Sequence, residues 1–387
     1  MKLQHSCIYM NLNELFTLEK LNNAFYEEAK ASYWKESTQR YRANLLVNNI
    51  KLQEELLNNE YKILPTHDFK ISERGKIRSI SAPAMRDAIV QKILNQYILL
   101  PQLSKYFIYD NYASLEGRGT SMARKRVLVM LQRHIKKYGN NGYVLQVDIK
   151  NFFGSINHAT LIEMLDKKLN ADNDVKNLIY YIINNSSNSD TGLNLGAEMP
   201  QTLSGFYLFE LDNYIKTVLK TKFYARYADD MLICVQTKEE AKQLLKQIEM
   251  KLSKVHLAVS KKKTHVIKLS HGFTYLKIKY NIDDNKIITR PVHNKIQRER
   301  GRLRKYKNKC NKKELAETEV YKMYNSWKCN IVKECNHIDK TISSIDELYN
   351  KLFTKLDNHK YKKARDEIIN ETFKENAFLL AEINRDK

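Results

Sequence analysis

The segment from Lys222 to Val235 constrains this chain more than any other. Two apolar runs, Lys222 to Tyr227 and Met231 to Val235, flank Ala228, Asp229 and Asp230. The pattern predicts strand, tight turn, strand, with the acids at the turn. Two carboxylates on a rigid hairpin tip repel each other unless a cation joins them. Hard oxygen donors at such a tip suit Mg²⁺, which takes one or two carboxylates and keeps places for water and phosphate oxygens. Taken alone, Asp-Asp in a polar turn is more often simply solvated.

A second segment changes that balance. Tyr143 to Phe153 is a β-rich run that reaches an acid at Asp148. On a neighbouring strand, Asp148 would face the hairpin tip as a third carboxylate. Two metal ions held by carboxylates from separate strands form a clamp for in-line phosphoryl transfer. One ion would activate a 3′-hydroxyl and the other would hold the triphosphate and leaving group. Phe153 lies five residues past Asp148, where a ring could close over the sugar of an incoming nucleotide. Without the acids, core packing would be the better reading of that ring.

Together these residues resemble the palm of a reverse transcriptase. Gly192-Leu-Asn-Leu-Gly196, Gln201 and the helix-like stretch to Leu211-Asp212 are similar to the family's template and nucleotide loop. Leu257 to Thr264 resembles its Lys-Thr loop, and Gly272 to Leu276 its primer grip. Gly75-Lys76-Ile-Arg78, Arg86-Asp87 and Tyr112 to Thr120 look like fingers motifs, and Tyr324 to Trp327 like a thumb signature. The resemblance runs in the family's order over roughly residues 60 to 330. Asn194, Pro200 and Leu276-Lys277 depart from the usual residues. Leu195-Gly196 with Gln201 resembles diversity-generating retroelement and defence-associated or abortive-infection enzymes.

The resemblance implies an α+β right-hand polymerase with fingers, an RRM-like palm and a helical thumb. It implies that Asp148, Asp229 and Asp230, with the Ile149 carbonyl, hold two Mg²⁺ ions, with Mn²⁺ as an alternative. Lys76 and Arg78 would neutralise the triphosphate, and Lys263 would protonate the departing pyrophosphate. Gly196 would let backbone approach nucleotide or template, and Gln201 would touch the template or sit at a helix start. Phe153 would exclude a 2′-hydroxyl and so select deoxynucleotides. Tyr227, Arg298, Arg302, Lys305 and Trp327 would contact nucleic acid.

Composition agrees with nucleic acid as partner. Lys and Arg number 66 against 44 Asp and Glu, a net charge of +22. Such a surface attracts polyphosphate with an affinity that falls steeply with salt. The 24 tyrosines interleaved with cations suit stacking on unpaired bases, though most are expected in the core. Five scattered cysteines do not form a disulfide framework and point to a reducing cytoplasm. Cys329, Cys335 and His337, with Cys310 nearby, lack the spacing of a usual zinc finger or ribbon. No apolar run approaches a membrane span, and no apolar h-region follows Lys2.

The expected parts are a helical N-terminal extension (1–60), with two helices from residue 11 onward, fingers (61–142), palm (143–280), helical thumb (281–344) and helical C-terminal tail (345–387). Arg290-Pro291 marks the exit from the palm. Arg298 to Lys309 is the densest basic run, read as a solvated face that could lie along a template–primer duplex. The expected activity is RNA-directed DNA synthesis on a cognate structured RNA from deoxynucleotides, with a partner protein or a second copy as further options. Untemplated or protein-primed synthesis by the same palm is one alternative. An RNA-binding maturase or scaffold with an idle palm is another.

Overall fold

The computed structural model describes residues 9–73, 76–194 and 196–353; the side chains of Glu73, Lys76 and Arg78 lie outside that description. As far as they are described, residues 1–123, 145–233 and 239–266 form one compact unit, and 124–144, 234–238 and 267–387 a second. This division interleaves in sequence and does not follow the expected part boundaries.

The first unit begins with four helices, Leu12–Leu15, Leu18–Ala29, Glu36–Ala43 and Leu45–Leu57, rather than the two expected. The Thr17 cap marks the break between the first two, while the third and fourth begin without a side-chain cap. Asn11 and Glu14 exchange side-chain and backbone bonds at the first helix, and the Thr17 hydroxyl accepts from the Lys20 N–H at the next. Leu21, Ala24 and Phe25, at helical spacing, turn one face into the core. Strands β1 (His67–Glu73) and β2 (Lys76–Ala82) then form an antiparallel hairpin.

The central sheet contains β3 (Tyr143–Val147), β4 (Tyr224–Tyr227), β5 (Asp230–Val235) and β6 (His265–Lys268), in the order β4-β5-β3-β6. Met231 to Val235 are all buried, so β5 reads as a continuous apolar run rather than an alternating one. The segment around Asn111 adds a parallel bridge beside Arg226 of β4.

The second unit holds an antiparallel meander, β7 (Phe273–Tyr275), β8 (Ile278–Asp283) and β9 (Lys286–Pro291). β9 ends at the expected boundary, Arg290-Pro291, and three helices follow: His293–Asn311, Glu317–Glu334 and Asp339–Leu352. They bury Ile296, Leu303, Val320, Tyr324, Ile345, Tyr349 and Phe353 in one cluster. The last helix runs through the expected thumb–tail boundary at 344/345, because Ile342, Ile345 and Tyr349 share its buried face. The remainder of the expected tail, from 354, lies outside the described residues. Among the described residues, no helix is long and apolar enough to cross a membrane.

Candidate active site

The turn between β4 and β5 has two central residues, Ala228 and Asp229, with Tyr227 paired to Asp230. Ala228 has φ 54°, a left-handed conformation that costs a non-glycine residue about 1 kcal/mol. Asp230 is exposed at the first position of β5, and Asp229 and Tyr227 are half-buried beside it. The strand–turn–strand expected around the two acids is therefore present, with β4 starting at Tyr224.

Asp148 stands one residue past the end of β3 and is buried. Its backbone is held by the Leu257–Thr264 segment. The Ser260 N–H donates to the Asp148 carbonyl (2.7 Å) and the Lys150 N–H to the Ala258 carbonyl (2.8 Å). Ile149 and Val259 are thus a bridge pair outside those two bonds, which directs the Ile149 C=O away from Val259. The Thr264 hydroxyl accepts from the Asp148 N–H at 3.4 Å. Lys263 Nζ donates to both carboxylate oxygens of Asp148, each at 2.7 Å. That bond holds the lysine pKa above its ordinary value against the opposing effect of burial, and the charges of Asp148, Asp229 and Asp230 add to the rise. One ammonium therefore lies in the field of all three acids that the sequence singled out.

Phe153 is half-buried in the short Phe152–Ser155 helix, edge-on to Phe152 with ring centroids 5.5 Å apart. Its carbonyl accepts from the Leu193 N–H (2.9 Å), and the Ile156 carbonyl accepts from the Gly192 N–H (2.8 Å). The aromatic segment and the glycine loop therefore run side by side. At Gly196 an added Cβ would lie 3.1 Å from the Ser81 carbonyl and 3.3 Å from Ala82 Cα. The close approach this glycine permits in the structure is to β2. Gln201 lies in the first turn of the Glu198–Tyr207 helix, exposed, its Oε1 accepting from the Ser114 hydroxyl at 2.8 Å. Lys76 and Arg78 take their backbone places in β2 opposite Glu73 and Ile71; their side chains lie outside the description.

In the second unit, Arg298, Arg302 and Lys305 are exposed on the His293–Asn311 helix, at a spacing that puts them on one face. Arg302 is partly engaged by buried Glu299 at 3.1 Å. Trp327 is different: its half-buried ring stacks on Tyr324, with centroids 5.9 Å apart, and packs against the helical core. Packing thus holds this ring, which the resemblance assigns to nucleic-acid contact. Cys234, Cys310, Cys329 and Cys335 are unbridged, and burial pushes the Cys234 thiol up to about 12.

Two arginines that sequence reasoning left without a role also converge on turns. Arg226 is wholly buried and donates to Asp212 and to the Ala228 carbonyl. Arg124 donates to the Leu276 carbonyl in the β7–β8 turn and pairs with Glu334. For Arg226 the available signal was an arginine inside an otherwise apolar run, which must find a buried acid.

The reverse transcriptase (RNA-dependent DNA polymerase) family matches residues 65–280, more than half of the chain. The chain belongs to that family, the RNA-directed DNA polymerases, and the α+β right-hand class expected from sequence is its fold class. The chain is similar to Protein YkfC of Escherichia coli (strain K12), at 24% identity over 276 residues, covering 60% of this chain and 71% of that protein. It also matches apo telomerase from Candida tropicalis truncated from its C-terminal domain (13% identity, TM-score 0.43, 64% of this chain and 60% of that one). Telomerase from Candida albicans in complex with the TWJ fragment of telomeric RNA matches at 12% identity and TM-score 0.48, over 79% of this chain and 64% of that one. The chain thus spans less than two thirds of either telomerase.

Reverse transcriptase domains use divalent metal ions. The oxygen donors here suit a hard cation, and the ammonium of Lys263 already bridges both oxygens of Asp148. Among the described residues, no group of three or more His, Cys, Asp or Glu side chains is gathered into a metal cage. The fit is thus one of donor chemistry, with the third carboxylate engaged by lysine.

Proposed function

We propose that this chain copies a structured RNA into DNA by two-metal nucleotidyl transfer, in a bacterial retroelement or in anti-phage defence. The observation that carries this reading is Lys263, bound to Asp148 and within the field of Asp229 and Asp230. Those three acids, with the Ile149 carbonyl, would hold two Mg²⁺ ions, and Mn²⁺ would substitute. Bound there, the ions would supply Lewis-acid activation of the primer 3′-hydroxyl and charge neutralisation on the triphosphate. The chain's own residues do the rest. Phe153, beside the glycine loop, packs against the sugar and excludes a 2′-hydroxyl. Lys76 and Arg78 on β2 draw in the triphosphate. The primer 3′-hydroxyl loses its proton to solvent as its oxygen bonds to the α-phosphorus, the bond from that phosphorus to the bridging oxygen breaks, and Lys263 Nζ gives its proton to the departing pyrophosphate. A lysine ammonium carries that proton at neutral pH, ready for the step. Arg298, Arg302 and Lys305 grip phosphates without reading sequence.

The test is to purify the protein with its bound nucleic acid and supply labelled deoxynucleotides with Mg²⁺. DNA that requires both the RNA and the Asp229/Asp230 pair is the expected result, and sequencing it identifies the template. DNA that survives ribonuclease would replace this reading with untemplated synthesis. No DNA, with RNA still bound, would replace it with a scaffold.

A further inference from the structure

Arg226 and Asp212 are both 0% exposed in their side chains. Arg226 Nε lies 2.9 and 3.0 Å from the two Asp212 oxygens and Nη2 lies 2.5 Å from Oδ2. The Tyr224 hydroxyl donates to Asp212 Oδ1 at 2.5 Å. Nη2 also reaches the Gly205 carbonyl at 3.3 Å, and Nη1 donates to the Ala228 carbonyl at 2.9 Å. The Arg226 backbone is itself fixed, its N–H to the Asp110 carbonyl (2.9 Å) and its C=O to the Tyr112 N–H (3.0 Å).

A buried ion pair is a poor route to stability, because an apolar pair of similar volume often stabilises as well or better. What this pair adds is a fixed donor aimed at one carbonyl. The Ala228 carbonyl belongs to the peptide plane that carries the Asp229 N–H. Holding it fixes that plane, and with it the direction in which the Asp229 side chain leaves the backbone. The same bond offsets the left-handed conformation of Ala228.

We propose that Arg226, oriented by Asp212 and Tyr224, is a positioning residue that sets the Asp229–Asp230 tip for metal binding. The inference rests on the reading of Asp229 and Asp230 as metal-binding acids.

The test uses the full chain with two sets of changes. Arg226→Lys keeps the charge paired with Asp212 but shortens the reach to Ala228. The triple change Tyr224→Phe, Asp212→Leu, Arg226→Met removes the buried charges together and leaves no unpaired partner among them. Melting temperature reports folding. Mn²⁺ binding, read by electron paramagnetic resonance without substrate, reports the tip independently of turnover. Folded variants should bind Mn²⁺ about tenfold more weakly. They should also lose about tenfold or more in kcat, with KM for deoxynucleotide little changed. Should the triple variant not fold, Arg226→Lys decides by the same readouts. A folded variant with wild-type Mn²⁺ affinity and kcat overturns the positioning role while leaving the site reading intact. Wild-type protein that neither loses Mn²⁺ on Asp229→Asn nor polymerises removes the site reading, and this inference with it.

Discussion

Lys263 is the residue whose removal says most about the site. Its partner Asp148 is buried, with 10% of its side chain exposed, while Lys263 itself is 52% exposed. Lys263→Met should destabilise the metal-free protein by only about 1 kcal/mol, because solvent screens the exposed partner. Urea unfolding in EDTA measures this. The folded-state pKa of Lys263 is raised, so its stabilisation is complete below the ordinary lysine range. It is lost as pH climbs through the raised folded value, and the gap between wild type and variant should close there. If Asp148 holds metal as proposed, Mg²⁺ should raise the melting temperature of Lys263→Met more than that of the wild type, since ammonium and metal would compete for the same oxygens. Glu299 follows the same sign in the acid range. Burial raises its pKa, against the pull of Arg302, so the folded state holds the proton more tightly. Stability drawn from it falls as pH rises from the ordinary glutamate value through the raised one. Glu299→Gln should therefore gain on the wild type across that window, measured as a melting-temperature difference against pH.

At the scale of elements, two hairpins share one device. The β7–β8 turn holds Leu276 at φ 45° and Lys277 at φ 68°, both left-handed, with Tyr275 paired to Ile278. Such a turn ordinarily calls for Asn-Gly. Arg124, buried in the Thr120–Tyr138 helix, bonds the Leu276 carbonyl through Nε (2.9 Å) and Nη2 (2.6 Å). Glu334 holds Arg124 and also accepts from Lys295 at 3.0 Å. The catalytic-type turn at Ala228 is held in the same way by Arg226. In both, an arginine bond stands in for the glycine that local geometry would favour. Exposed Lys277→Gly should accordingly stabilise the chain by about 0.5–1 kcal/mol in chemical denaturation. That Leu276-Lys277 departs from the usual residues was visible in the sequence. Its compensation was not, because Arg124 lies about 150 residues upstream.

For the whole molecule, a net charge of +22 makes nucleic-acid affinity a function of salt. Replacing Arg298, Arg302 and Lys305 with Gln should weaken binding similarly for all sequences. It should lower the slope of log affinity against log salt by about one for each phosphate that is no longer neutralised. Filter binding of a DNA–RNA hybrid across a salt series checks this. An unchanged slope would remove that helix face from the grip. Sequence spacing correctly placed these three cations on one exposed face, since helical periodicity is local. Local spacing does not say that the Trp327 ring stacks on Tyr324, because an aromatic in a motif looks alike whatever it stacks on.

The sequence by itself determined the hairpin with its two acids, the strand that leads to Asp148, the α+β class and the family. Each rests on short-range pattern: apolar runs, turn residues and motif order along the chain. The tertiary structure alone decided which groups hold the acids in place. Lys263 on Asp148 bridges 115 residues of sequence, and Asp212 meets Arg226 only where the Phe209–Asn213 helix passes β4. It also decided that Gly196 makes room for β2. The physical reason is the same in each case. A buried charge, or a glycine without room for a Cβ, is defined by its neighbours in space, and those neighbours are set only when distant segments pack.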